Sequence, residues 1–141
     1  MVSAAPRNLD GGIRILVADD QRVNQLILEA FLRKEGHTVL VANNGAEAVE
    51  MHRTEHPDLV LMDIMMPEMD GLEAARRIAA NGGAMRTPLL FLTAINDQQT
   101  MIEGLGLGDD FIAKPIDLAV LRAKLRAFIR VVQSQRMLRE Q

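Results

Sequence analysis

Asp19 and Asp20, Asp63, Thr93 and Lys114 each close a short apolar run, in IRILVADD (13–20), LVLMD (59–63), PLLFLT (88–93) and FIAK (111–114). Brought to one place, they would set three carboxylates, a hydroxyl and an ammonium side by side. Like charges ~4 Å apart at an effective dielectric of ~20 repel by about 4 kcal/mol per pair. One lysine does not neutralise three such groups, whereas a hard divalent cation does. Mg²⁺ takes oxygen ligands from carboxylates, carbonyls and water, and keeps waters that a phosphate can replace. In that setting Asp63 is a candidate nucleophile. Attack of its carboxylate on phosphorus gives an acyl phosphate, with the metal and Lys114 stabilising charge on the transferring oxygens.

The elements that must gather these residues are legible in the alternation of apolar runs with segments of helical period. The runs 13–18, 37–42, 58–62, 88–93 and 111–114 read as strands. Val23, Leu26, Ile27, Ala30 and Phe31 fall at three- and four-residue spacing, as do Leu72, Ala75, Ile78 and Ala79 and, less cleanly, Ala46, Val49 and Met51. Asn44 with Glu47, Asp70 with Glu73, and Asp117 resemble helix N-caps, while Gly36, Gly82 and Gly83 punctuate helix ends. Strands apolar on both faces, each followed by a helix, imply an α/β fold with a parallel sheet covered on both sides. Ligands of such sheets bind outside the carboxyl ends of the strands, where all five polar residues stand.

Composition narrows the function. At 141 residues and 48% hydrophobic content the chain suits one domain, and its net charge of −3 supplies no basic footprint for direct nucleic-acid binding. Cysteine is absent, so disulfides and thiolate metal sites are excluded. The opening MVSAAPRNLDGG lacks the apolar stretch of a signal peptide, and no run approaches a membrane span, so a cytoplasmic location without membrane contact is expected. VADDQRVNQ contains no glycine-rich phosphate loop, which argues against a dinucleotide fold.

VADD (17–20), LMDIMMPEMDG (61–71), LTA (92–94) and DDFIAKP (109–115) together resemble the motif set of two-component response regulator receiver domains, including the chemotaxis-regulator-like single domains. The resemblance implies a five-stranded, flavodoxin-like doubly wound (βα)5 fold with strand order 2-1-3-4-5. It implies Asp63 as phosphoryl acceptor, Asp19 and Asp20 as the acidic metal pair, and the main-chain carbonyl of Met65 as a further ligand. Mg²⁺ is the implied cofactor, with Mn²⁺ able to substitute. Thr93 would take a phosphoryl oxygen, Lys114 would contact the same group, Phe111 would be the switch aromatic, and the Lys114-Pro115 bond would be cis. Met65 and Ile95 would flank the attacking water, and being apolar would make dephosphorylation slow. The phosphodonor would be a histidine kinase or histidine phosphotransfer protein. The output partner is left unspecified, and the only chemistry implied is the chain's own phosphorylation and dephosphorylation.

Two other readings compete. An unphosphorylated docking module would not need Asp19, Asp20, Asp63, Thr93 and Lys114 intact, and a phosphatase with an aspartyl intermediate would want a carboxylate where Met65 stands. His37, His52 and His56 share no ligand spacing and are expected at the surface or in turns, while Met66 and Met69 are expected to pack. The expected organisation is a flexible segment 1–12, a receiver domain 13–130 and a helical extension 131–141. Leu118, Leu121, Leu125, Phe128 and Val132 share one helical face, with Val132 and Leu138 expected beyond the domain edge. That overrun suggests weak phosphorylation-dependent homodimerisation or contact with a downstream domain. Val120 stands where dimerising receivers carry an acidic residue.

Overall fold

The computed structural model describes residues 12–81, 86–94 and 106–140. Its strands are β1 (Arg14–Ala18), β2 (Thr38–Ala42), β3 (Leu59–Asp63), β4 (Leu89–Ala94) and β5 (Asp110–Lys114), and its described helices are α1 (Arg22–Lys34), α2 (Gly45–Glu55), α3 (Gly71–Ala80) and α4 (Leu118–Glu140). The five strands are all parallel, in the order β2-β1-β3-β4-β5, as expected. Gly82, Gly83, Ile95 and the expected segment 1–11 lie outside the described residues.

Alternation along the strands divides the core into two layers. Ile15, Val17, Leu61, Leu90, Leu92 and Ile112 face Leu28, Phe31 and Leu32 of α1 and Leu121 and Leu125 of α4. Leu16, Ala18, Val60, Met62, Leu89 and Phe91 face Ala48 of α2 and Leu72, Ala74, Ala75 and Ile78 of α3, with Met66 and Met69 filling the edge. Both faces being buried, each run can be apolar throughout, and the strands need no polar side. The caps stand where the sequence puts them. Asn44 accepts from Glu47 N at 2.8 Å, Asp70 from Glu73 N at 2.9 Å and Asp117 from Ala119 N at 2.9 Å. The Lys114-Pro115 bond is cis.

Helix faces depart from the periodicity. In α1 the buried residues are Gln25, Leu28, Phe31 and Leu32, while Val23, Leu26 and Ile27 are 67%, 47% and 49% exposed. Two interleaved apolar stripes exist in VNQLILEAFL, and hydrophobicity alone selects the wrong one because a buried glutamine belongs to the other. In α2, Ala48 and His52 are buried in place of Ala46. His52 is thus no surface residue. Its Nε2 lies 2.9 Å from Thr87 Oγ1 and its Nδ1 3.0 Å from Asn81 Nδ2, and burial, with the charge of His56 second, pushes its pKa down. His37 is half-buried and accepts from Ile13 N at 3.2 Å, and only His56, in the left-handed C-cap of α2, fits a turn role at the surface.

Along α4, Leu121 and Leu125 are buried as expected, but Leu118, at the start of the helix, is exposed. Val132 is 1% exposed and belongs to the same core layer as Leu28 and Leu121, so packing continues past Arg130. Gln135 Nε2 also reaches the Arg86 carbonyl at 3.4 Å. Val132→Ala is therefore expected to lower stability by about 1–2 kcal/mol. Val131→Ala, at an exposed neighbour, should stay within ~0.5 kcal/mol. Thermal denaturation distinguishes the two; equal melts would place the domain edge before residue 131.

Candidate functional site

β1, β3, β4 and β5 deliver their last residues to one end of the sheet. Register does this directly: Ala18 pairs with Met62, Asp63 with Leu92, Thr93 with Ala113 and Ala94 with Lys114. Asp19 therefore follows β1 next to the end of β3, with Thr93 and Lys114 on the far side. Asp19 and Asp63 are 0% and 2% exposed, and Asp20 and Lys114 are half-buried. Oxygens of Asp19, Asp20 and Asp63 all lie within 4.8 Å of one another.

The lysine is shared. Lys114 Nζ donates to Asp63 Oδ2 at 2.9 Å and lies 3.6 Å from Asp19 Oδ2. Main-chain N–H groups take the other oxygens: Gln21 N donates to Asp19 Oδ1 at 2.8 Å and Met65 N to Asp63 Oδ1 at 3.2 Å. Asp19 Oδ2 is buried with no hydrogen-bond partner. Burial pushes the Asp63 carboxyl up from its ordinary value, the Lys114 hydrogen bond and charge pull it down, Asp19 pushes it up again, and the Met65 N–H lowers it. A buried carboxylate oxygen with no hydrogen bond, inside a set of hard oxygen donors, fits a divalent cation of the Mg²⁺ class.

Thr93 is buried on β4, and its hydroxyl donates to the Ala94 carbonyl at 3.4 Å, a long local bond. Phe111, half-buried, stacks on Phe91 with ring centroids 5.6 Å apart. Met65, whose N–H meets Asp63, is 67% exposed. Gly71 holds the turn after β3 close: a Cβ there would meet the Asp63 carbonyl oxygen at 2.3 Å, and Gly71 N donates to Ile64 O at 2.9 Å. Sequence reasoning missed three residues of this surround. For Gly71 the Asp-Gly pair at 70–71 was the available signal; for Gln25 and Asn43, which meet behind Asp19, there was none stronger than a polar residue inside a helix stripe.

A model of the response regulator receiver domain matches residues 15–126 of the chain. The chain belongs to the response regulator receiver family. It is 40% identical over 119 residues to the response regulator MprA of Mycobacterium ulcerans, an alignment covering 84% of this chain and 50% of that protein. The chain thus spans about half the length of the curated relatives it matches. Among solved structures, it resembles the receiver domain of a Pseudomonas aeruginosa sensor histidine kinase with a magnesium ion coordinated in the active site cleft, at 36% identity and a TM-score of 0.76, covering 84% of this chain and 98% of that one. It also resembles the Saccharomyces cerevisiae response regulator receiver Ssk1 solved with the histidine phosphotransfer protein Ypd1, at 31% identity and a TM-score of 0.72, covering 80% and 86%. As a receiver of a two-component system the chain belongs to phosphorylation-dependent signal transduction, in a family whose members are generally signalling switches.

The raised Asp63 pKa has a stability consequence whose sign is fixed. A carboxyl held above its unfolded value stabilises the fold below the unfolded pKa, and that contribution is lost as pH rises through the folded pKa. In the metal-free receiver at neutral pH, ionised Asp63 works against folding. Asp63→Asn is expected to raise the metal-free melting temperature at pH 7, by an amount that shrinks as pH falls toward ~4. Melts of both proteins at the two pH values check this, and a mutant that melts below the parent at pH 7 would contradict it.

Proposed function

We propose that the receiver accepts a phosphoryl group on Asp63 from a histidine kinase or histidine phosphotransfer protein and thereby changes its surface for an output partner. One observation carries the reading: the Asp63 carboxylate, buried at the end of β3, is held by Lys114 on one oxygen and the Met65 N–H on the other, next to two further carboxylates. Asp19, Asp20 and Asp63, with the Met65 carbonyl, would hold Mg²⁺, and Mn²⁺ would substitute. Bound there, the metal supplies positive charge for the phosphoryl oxygens.

Asp63 acts as nucleophile. Its carboxylate oxygen forms the bond to phosphorus while the bond to the donor's imidazole nitrogen breaks, and the electron pair leaves with the imidazole. Lys114 follows the charge, from the Asp63 oxygen at 2.9 Å to an oxygen of the transferred group. The Thr93 hydroxyl exchanges its weak bond to the Ala94 carbonyl for a phosphoryl oxygen. Room left by Thr93 is filled by Phe111, the switch aromatic, which gives up its stack on Phe91. The donor docks on α1, which begins beside the site and leaves Val23, Leu26 and Ile27 exposed. The similarity to a receiver solved with a phosphotransfer protein supports a donor of that class. The receiver acts in the cytoplasm on soluble partners, without nucleic acid or membrane; no described helix is long and apolar enough to cross a membrane. Weak phosphorylation-dependent pairing of two receivers uses α4, where Val120, Val131 and Met137 are exposed.

Incubation with acetyl phosphate and Mg²⁺ followed by intact mass measurement tests the assignment. The parent is expected to gain a single phosphoryl group that hydroxylamine removes, and Asp63→Asn to gain none; labelling of the mutant would overturn Asp63 as acceptor. Lifetime gives a second test. Met65 is apolar and exposed beside the phosphoryl position, so it shields the group and cannot orient water. Met65→Asn is expected to speed phosphoryl decay several-fold, and a decay no faster than the parent's would remove the shielding argument.

A further inference from the structure

Helix α1 inverts the ordinary placement of its residues. Val23, Leu26 and Ile27 are left to solvent while Gln25 is buried at 1% exposure. A primary amide in a core position is costly unless its hydrogen bonds are made. The amide of Gln25 is fully engaged. Nε2 donates to the Asp19 carbonyl at 2.6 Å and to Asn43 Oδ1 at 2.8 Å, and Oε1 accepts from Arg22 Nη1 at 3.0 Å. Its orientation is unambiguous, because a carbonyl only accepts and a guanidinium only donates.

We propose that Gln25 is a positioning residue for the divalent cation, clamping the Asp19 main chain to the loop after β2 so that one carboxylate oxygen of Asp19 is aimed into the acidic pocket. Asp19 is held on three sides. Its N–H donates to Ala42 O at 3.2 Å, its carbonyl accepts from Gln25, and its Oδ1 accepts from Gln21 N. What remains is Oδ2, buried, without a hydrogen bond and 3.6 Å from Lys114 Nζ, and one carboxylate oxygen of Asp19 lies within 4.8 Å of oxygens of Asp20 and Asp63. Asn43 is braced in turn, its N and Nδ2 donating to Glu47 Oε1 at 3.0 and 3.2 Å. The clamp thus runs from α1 through Asn43 to the first turn of α2, and keeps Asp19 rigid against the repulsion of its neighbours. Gln25 touches no reacting atom; it acts through Asp19.

The inference rests on the pocket taking a divalent cation, and it is tested without any phosphodonor. Mn²⁺ affinity is measured on the unphosphorylated protein by the loss of free-ion paramagnetic resonance signal, alongside the metal-free melting temperature. Gln25→Leu and Gln25→Met, both matched in bulk, are expected to weaken Mn²⁺ binding by about 10-fold or more, the range seen when a hydrogen-bond partner of a metal ligand is removed. Their metal-free melts, lowered by the loss of a donor to the Asp19 carbonyl, should still show a cooperative fold at the temperature of the binding measurement, where a merely structural glutamine would leave Mn²⁺ affinity unchanged. Asn43→Ala, at an exposed position, should weaken binding less, and should add nothing in the Gln25→Met background. Parent-like affinity in either folded Gln25 variant, or an additive double mutant, would overturn the proposal. A parent that binds no Mn²⁺ would instead count against the receiver's metal site.

Discussion

Mutual repulsion of three carboxylates at the carboxyl end of a buried parallel sheet, answered by a single lysine ammonium, is the constraint on which the receiver's design turns. Asp19 and Asp63 are nearly inaccessible to water, Asp20 completes the cluster, and Lys114 reaches two of the three. In water such a group would separate. Here it cannot, because each carboxylate hangs from a strand fixed on both faces by apolar packing. The core does two jobs at once: it supplies the stability that tolerates the crowding, and it fixes the positions that make the crowding useful.

The surroundings are arranged to leave little freedom and one deficiency. Main-chain N–H groups occupy one oxygen each on Asp19 and Asp63, and Gly71 lets the chain after β3 fold back against the Asp63 carbonyl. What is lacking is positive charge beyond that of Lys114, and a hydrogen bond to the buried Asp19 Oδ2. A site so built suits an added positive charge. β4 and β5, neighbours in the sheet, carry Thr93, Phe91 and Phe111 from the site toward α4, whose Lys124 donates to the Phe111 carbonyl at 2.9 Å. Together they link the Asp63 end of the sheet to the surface by a short chain of contacts.

Much of this was legible in the sequence, for a physical reason. Strands buried on both faces announce themselves as unbroken apolar runs, so a polar residue at the end of each, Asp19, Asp63, Thr93 and Lys114, stands out without structural knowledge. N-caps at Asn44 and Asp70 were equally plain because their chemistry is local. Helix faces were less legible. α1 carries two apolar stripes, and the buried one contains Gln25, whose partners on Asp19 and Asn43 exist only once the strands are assembled. His52 was hidden likewise, its partners Asn81 and Thr87 being distant along the chain. The extent of α4 packing was misjudged at Val132 because a helix that overruns a sheet gives no sign in its sequence of where contact ends.

The most direct measurement is the thermal melt of the unphosphorylated receiver across a Mg²⁺ titration from chelated to millimolar. If crowded carboxylates with one ammonium are the governing constraint, the melting temperature rises with the logarithm of Mg²⁺ concentration once the site begins to fill. Asp20→Ala should flatten that rise while its metal-free melt is no lower than the parent's. A parent melting temperature indifferent to millimolar Mg²⁺ would contradict the account.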